Sequence, residues 1–214
     1  TPLFGRDGRY AIVKNAEMAL SFGLAWMVST DHGGPDHSRI NHDIAYPALL
    51  ASRTAVPEVL QFFGMELDTP DGDHSSLIIP RSDGERGQLH EIEAGYSRRD
   101  AHPADPARDR PERMIAALCA MKAQPLPPVL FANHPSRSAP DANSYGRYDP
   151  AEFRNWNDAA PTVAVGMEGA PGHQAGALRT DGSSDPDGHR GGYRNVRTLG
   201  GTESTVRGFM RTGL

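Results

Sequence analysis

Five short apolar runs restrict this chain more than any other feature: "LAWMVST" (24–30), "VLQFFGMEL" (59–67), "HSSLIIP" (74–80), "PPVLFAN" (127–133) and "PTVAVGMEG" (161–169). Runs of this length, apolar on both faces, read as buried strands. Between them the apolar spacing is helical. Ile12, Val13, Ala16, Ala19 and Leu20 recur on one face, and Gly23 follows where a helix would stop. A helix is expected at about 44–54, and 108–123 carries Met114, Ile115, Leu118 and Met121 on one side with charges opposite. Asp149 as cap, Pro150 at the first helical position and Glu152 in the first turn open another helix. Strands alternating with helices predict an α/β fold whose parallel sheet is covered by helices, as in α/β barrels or doubly wound folds. In such folds the C-terminal strand ends converge on one face, where reactive groups collect.

That rule gives the strand ends their interest. The first run leads into Asp31-His32, the second carries Glu66, the fourth is followed by His134, and the fifth by Glu168 and His173. His74 departs from the pattern, because it stands at the start of its run. In a parallel sheet His32, Glu66, His134 and Glu168 come together. Imidazoles and carboxylates without thiolates suit zinc, manganese or iron, and several of them can hold more than one ion to activate water and clamp a phosphoryl oxygen. Each residue also has an ordinary role open to it. His32, before two glycines, could cap a turn. His134 could be an exposed loop residue, and Glu168 and His173 could be outer or structural groups. Glu66 is different, since a carboxylate inside "FFGMEL" demands a cation or an arginine. His37, His42, His90, His102 and His189 lie in polar surroundings and read as solvated. The Asp187/His189 pair reads as part of a flexible loop.

Length and charge bound the rest. The 214 residues suit one domain, 1–214, large enough to bury a sizeable core. The formal charge is -5 and the cations are scattered singly, so duplex nucleic acid is not an expected partner. There is no apolar run long enough to cross a membrane and no signal segment opens the chain, so a soluble protein is expected, cytoplasmic or secreted. A single cysteine, Cys119, excludes an internal disulfide and a cysteine-based zinc cluster. Glycine and proline concentrate at 68–87, 135–150 and 169–202, where long loops are expected.

The "TDH" of Thr30 to His32, the segment "GMELDTPDGDHSSLI" and the later "ANHPSR" resemble, in this order and spacing, motifs of the polymerase and histidinol phosphatase (PHP) domain, a superfamily of metal-dependent phosphoesterases. "VGMEGAPGHQ" and "RTLGG" are similar to a bacterial subgroup of it, and the likeness covers nearly the whole chain. The resemblance implies a distorted (β/α)7 barrel with two or three divalent ions (zinc, manganese or iron) at the C-terminal strand ends. Its substrate would be a small phosphomonoester or phosphodiester. His32, Glu66, His74 and His134 become metal ligands, and Asp7 in "FGRDG" matches the acidic residue that closes the family's first motif. Arg137 becomes a phosphate contact, a task suited to bidentate hydrogen bonding. His134 or His173 would protonate the leaving group, with Asp31 and Glu168 as outer supports. The family's His-x-His motif falls before Thr1 and its Asp-x-His motif beyond Leu214, so the chain is expected to lack the first and last strands. Weak metal binding and little turnover are then expected of the 214 residues alone. An amidohydrolase-like deacylase, or a non-catalytic binding domain with a relic metal site, is the alternative. The oligomeric state is left open.

Overall fold

The computed structural model describes residues 10–135, 137–138, 145–168, 181 and 183. Its strands are β1 (Trp26–His32), β2 (Leu60–Asp68), β3 (His74–Ile79), β4 (Val129–Asn133) and β5 (Ala164–Met167). The helices are α1 (Ile12–Ser21), α2 (His37–Ile40), α3 (Tyr46–Ala55), α4 (Glu85–Tyr96), α5 (Pro111–Lys122) and α6 (Pro150–Ala159), with a π turn at Asn41–Ala45 leading into α3. Asp149 caps α6 as its sequence predicts, its Oδ1 accepting from Glu152 N at 2.8 Å, with Pro150 at the first helical position.

The strands form one open sheet in the order β1-β2-β3-β4-β5. An α/β fold is therefore present, but the described strands do not close into a barrel. Nor is the sheet parallel throughout. β1 runs parallel to β2 and β4 to β5, whereas β3 is antiparallel to both neighbours. Only five residues, Thr69 to Asp73, separate β2 from β3, too few for a parallel crossover, which needs a dozen or more. The chain must turn straight back there. His74, at the start of β3, consequently pairs with Asp68 at the end of β2, so its reversed position along the strand brings it to the same edge of the sheet as His32 and Glu66.

Alternation along the strands divides the sheet into two faces. Phe63, Met65, Leu67, Leu77, Ile79, Leu130 and Ala132 point to one face and form the core with Leu49 of α3, Leu89 and Ile92 of α4, and Met114, Leu118 and Met121 of α5. Burial of each such side chain contributes about 1.5–3 kcal/mol. The opposite face carries the polar groups: His32 is paired with Glu66, Asp68 with His74, and His74 in turn with Asn133. Gly64 lets the central strand approach its neighbours, since a Cβ there would lie 2.4 Å from the Leu77 carbonyl oxygen. No helix among the described residues is long and apolar enough to cross a membrane.

The helix α4 lies between the third and fourth strands, in a stretch for which the apolar spacing predicts no helix. It is held by two buried carboxylates as much as by apolar packing. Glu85 accepts from Arg53 Nη1 and, at 3.1 Å, from Arg53 Nη2. Glu93 accepts from Asn41 Nδ2 at 2.7 Å and meets His37 Nδ1 at 2.7 Å. His37 is thus a buried, carboxylate-paired residue rather than a solvated one. Burial pulls its pKa down, but the hydrogen bond and charge of Glu93, with the charges of Asp31 and Asp100, more than reverse that and leave it raised.

Candidate metal centre

Glu66 lies next to last on the polar face of β2, and three histidines converge on it. Its Oε1 is 3.4 Å from His134 Nε2 and 3.8 Å from His74 Nδ1, and the two ring nitrogens are themselves 3.4 Å apart. The other oxygen, Oε2, contacts His32 Nδ1. Asn133 Nδ2 donates to Oε1 at 2.9 Å, while the side-chain Oδ1 of Asn133 accepts from the backbone N and the hydroxyl of Ser76. That double acceptance fixes the amide so that its donor faces Glu66.

The donor separations test whether a cation fits. Glu66, His74 and His134 each offer one ligand atom, all within 4.8 Å of one another. Tetrahedral coordination at about 2.0–2.1 Å places neighbouring donors about 3.4 Å apart. Two of the three separations are 3.4 Å and the third is 3.8 Å. The donor set, two imidazole nitrogens and a carboxylate oxygen, suits zinc, manganese or iron.

Behind the triad stands a second layer of carboxylates. His74 Nε2 is 3.4 Å from Asp68 Oδ1, and His134 Nδ1 is 3.5 Å from Asp73 Oδ2. Each imidazole thus turns one nitrogen to the common point and the other to a buried carboxylate, the arrangement that fixes ring orientation and raises ligand basicity in histidine metal sites. Arg137 grips Asp73 through Nε at 2.9 Å and Nη2 at 2.5 Å. Asp68 is 1 % exposed, and its Oδ2 has no hydrogen-bond partner among the described residues. Gly33 makes this packing possible, because a Cβ there would stand 2.6 Å from Asp68 Oδ2.

The electrostatics follow from these contacts. Burial pushes the Glu66 carboxyl up, but hydrogen bonds from His134, His32 and Asn133 and the charge of His74 outweigh it, holding the group well below the usual carboxylate range. Burial likewise opposes ionisation of Asp73, yet His134 and Arg137 bring it down to about 2. Burial lowers the pKa of His134, and Asp73 and Glu66 more than reverse that. Negative charge therefore surrounds the imidazole of His134 and attracts either a proton or a cation.

No family model, curated protein or solved structure matches the chain. The site must be judged on its own geometry.

Of the residues singled out from the sequence, His32, Glu66, His74 and His134 are brought together. Glu168 joins them through its Oε2, which accepts from the backbone N of His134 at 2.5 Å. That bond supports a left-handed backbone, φ 32°, at His134, a conformation that costs a non-glycine residue about 1 kcal/mol or more. Asp31 points away, to the helix-covered face, as strand alternation requires next to His32. Burial raises its pKa there, with His37 and His32 pulling it down. Arg137 serves Asp73. Asp7 and His173 lie outside the described residues, as does the Asp187/His189 pair. Asp68, Asp73 and Asn133 were not singled out. The first two are hidden in "LDTPDGDH", where aspartates, proline and glycine read as turn chemistry. The third follows an apolar strand as an unremarked amide.

Proposed function

We propose that the chain is a metal-dependent phosphoesterase of the PHP type, with Glu66, His74 and His134 holding a divalent ion. What supports this is the convergence of those three donors with a carboxylate behind each imidazole. Bound there, such an ion lowers the pKa of water and polarises a phosphoryl oxygen. Glu66 turns one oxygen to His74 and His134 and the other to His32, so His32 and Glu66 Oε2 are the place for a second ion. Asp68 and Asp73 keep the imidazoles oriented, and Arg137 keeps Asp73 ionised and in position. The His134 ring is closed in, whereas the His32 side chain is 42 % exposed. His32 is therefore the ligand that a second ion would reach from solvent. This reading carries with it a sheet that forms part of a distorted (β/α)7 barrel.

The test is hydrolysis of 4-nitrophenyl phosphate by the manganese- or zinc-loaded chain. Metal-dependent turnover that Glu66→Gln reduces at least a hundredfold is expected, the scale on which ligand and outer-shell losses act. Turnover unchanged by Glu66→Gln or by chelator overturns the reading. A second reading, deacylation by an amidohydrolase-like centre, is favoured by one observation. Arg137, the group suited to phosphate, is engaged with Asp73 instead. Metal-dependent hydrolysis of 4-nitrophenyl acetate without hydrolysis of the phosphate would establish it.

A further inference from the structure

Near the candidate centre lies a cavity of about 310 Å³ whose walls include Pro35, Arg98, Arg99 and His102. It is built on the same supports as the metal triad. Arg99 Nη1 is 3.3 Å from Asp68 Oδ1, the oxygen that His74 Nε2 faces at 3.4 Å. Arg98 Nη2 donates to the carbonyl oxygen of Asp73 at 3.2 Å, and the Arg98 backbone N donates to the carbonyl oxygen of Asp68 at 3.0 Å. Pro35 stands on the segment that leaves His32. The cavity is thus one side chain removed from the triad.

The two adjacent guanidinium groups meet one carboxylate each, Asp68 for Arg99 at 3.3 Å and Asp109 for Arg98 at 3.8 Å, and keep donors to spare. The carboxylates in the wall are already committed. Asp105 accepts from Ala107 N at 2.9 Å. Asp109 accepts from Asp71 N at 2.7 Å and from Arg147 Nη2 at 3.0 Å, and stands 3.8 Å from Arg98 Nη1. Arg98 is mostly buried, and its Nε has no hydrogen-bond partner among the described residues. The Arg99 side chain is 57 % exposed and pairs with Asp68 through Nη1, which leaves further guanidinium N–H donors to face the cavity.

We infer that this cavity receives a second anionic group of the substrate, so that the chain acts on phosphoesters carrying another carboxylate or phosphate a few bonds from the scissile group. Arg99 and Arg98 supply the fork that matches a planar or tetrahedral oxyanion, and His102 adds a donor at the rim. The inference rests on the phosphoesterase reading, because the reacting group is placed on the triad. It also explains how substrate can be held when Arg137 is occupied: the anion-binding arginines lie on the other side of Asp68.

The experiment uses two non-hydrolysable probes, ethylphosphonate and 3-phosphonopropionate, titrated calorimetrically into the manganese-loaded chain and into chelator-treated chain. Wild type is expected to bind 3-phosphonopropionate about tenfold more tightly than ethylphosphonate, the worth of one charge-assisted hydrogen bond. Arg99→Gln, at an exposed position, is expected to remove that preference, so that the two probes bind alike. His102→Gln serves as a second exposed variant and should reduce the preference in part. A preference that survives Arg99→Gln, or no preference in wild type, overturns the inference while leaving the metal reading intact. Binding of 3-phosphonopropionate that persists after chelation and disappears in Arg99→Gln upholds the cavity and overturns the metal reading. Binding of neither probe in either form overturns both.

Discussion

Arg137 holds Asp73 by two hydrogen bonds, from Nε at 2.9 Å and from Nη2 at 2.5 Å, and the same carboxylate reaches within 3.5 Å of His134 Nδ1. Through Asp73 the arginine bears on the Glu66, His74 and His134 cluster, by orienting an imidazole. Arg137→Gln should therefore weaken zinc binding about 10–100-fold, the usual cost of losing an outer-shell partner. Asp73→Asn should cost at least as much, and the double variant little more than Asp73→Asn alone, because Arg137 acts through Asp73. Competition against a chromophoric chelator measures this. Additive losses in the double variant would show that Arg137 has a separate role.

Gly33 presses its backbone against Asp68. A methyl group at 33 would stand 2.6 Å from Asp68 Oδ2, so Gly33→Ala must displace the carboxylate that orients His74. Zinc affinity is expected to fall about tenfold or more, with a loss of stability of about 1–3 kcal/mol from overpacking. Gly34→Ala is the control, since a Cβ there meets nothing within 4 Å. Equal effects at the two positions would remove the special role of Gly33.

Protons and metal compete for His134. Its pKa is raised by Asp73 and Glu66 against the downward push of burial, so the imidazole stays protonated to higher pH than a free histidine. Metal must displace that proton. Zinc affinity is expected to rise about tenfold per pH unit above pH 6, until the raised pKa is passed. In Asp73→Asn the rise should level off at lower pH. Affinity flat between pH 6 and 8 would contradict this.

Much of this centre is legible in the primary structure, and its gaps have physical causes. His32, Glu66 and His134 stand out because strand ends collect reactive groups. The antiparallel course of β3 is written in the five-residue connection before it, and that alone explains why His74 comes first in its strand. Alternation also places Asp31 opposite His32. What is not legible is pairing across sequence distance. Glu93 lies 56 residues from His37, so a histidine in a polar stretch looked solvated and a helix with two buried carboxylates was not predicted. Asp68 and Asp73 were masked for the same reason, as turn-forming residues become outer supports only when β3 folds back on β2.

Glu152 gives a prediction independent of metal. Burial, with the like charges of Asp71 and Asp149, pushes its carboxyl up from near 4.5 to about 8. Between those values the unfolded chain releases a proton that the folded chain keeps, so stability falls as pH rises from about 4.5 to about 8. Glu152→Gln should be the more stable protein at pH 9, by roughly 1 kcal/mol after allowance for solvent screening, and nearly equal to its parent at pH 4. Urea unfolding at the two pH values decides. A variant less stable than its parent at pH 9 would show that the ionised group is favourably paired.

Metal content tests the central assignment most directly. After equilibrium dialysis against zinc or manganese, the purified 214-residue chain is expected to retain at least one ion, and His74→Ala with His134→Ala to retain none while keeping the parent's circular dichroism. A chain that binds no ion, or one whose bound ion is indifferent to removal of both imidazoles, would contradict it.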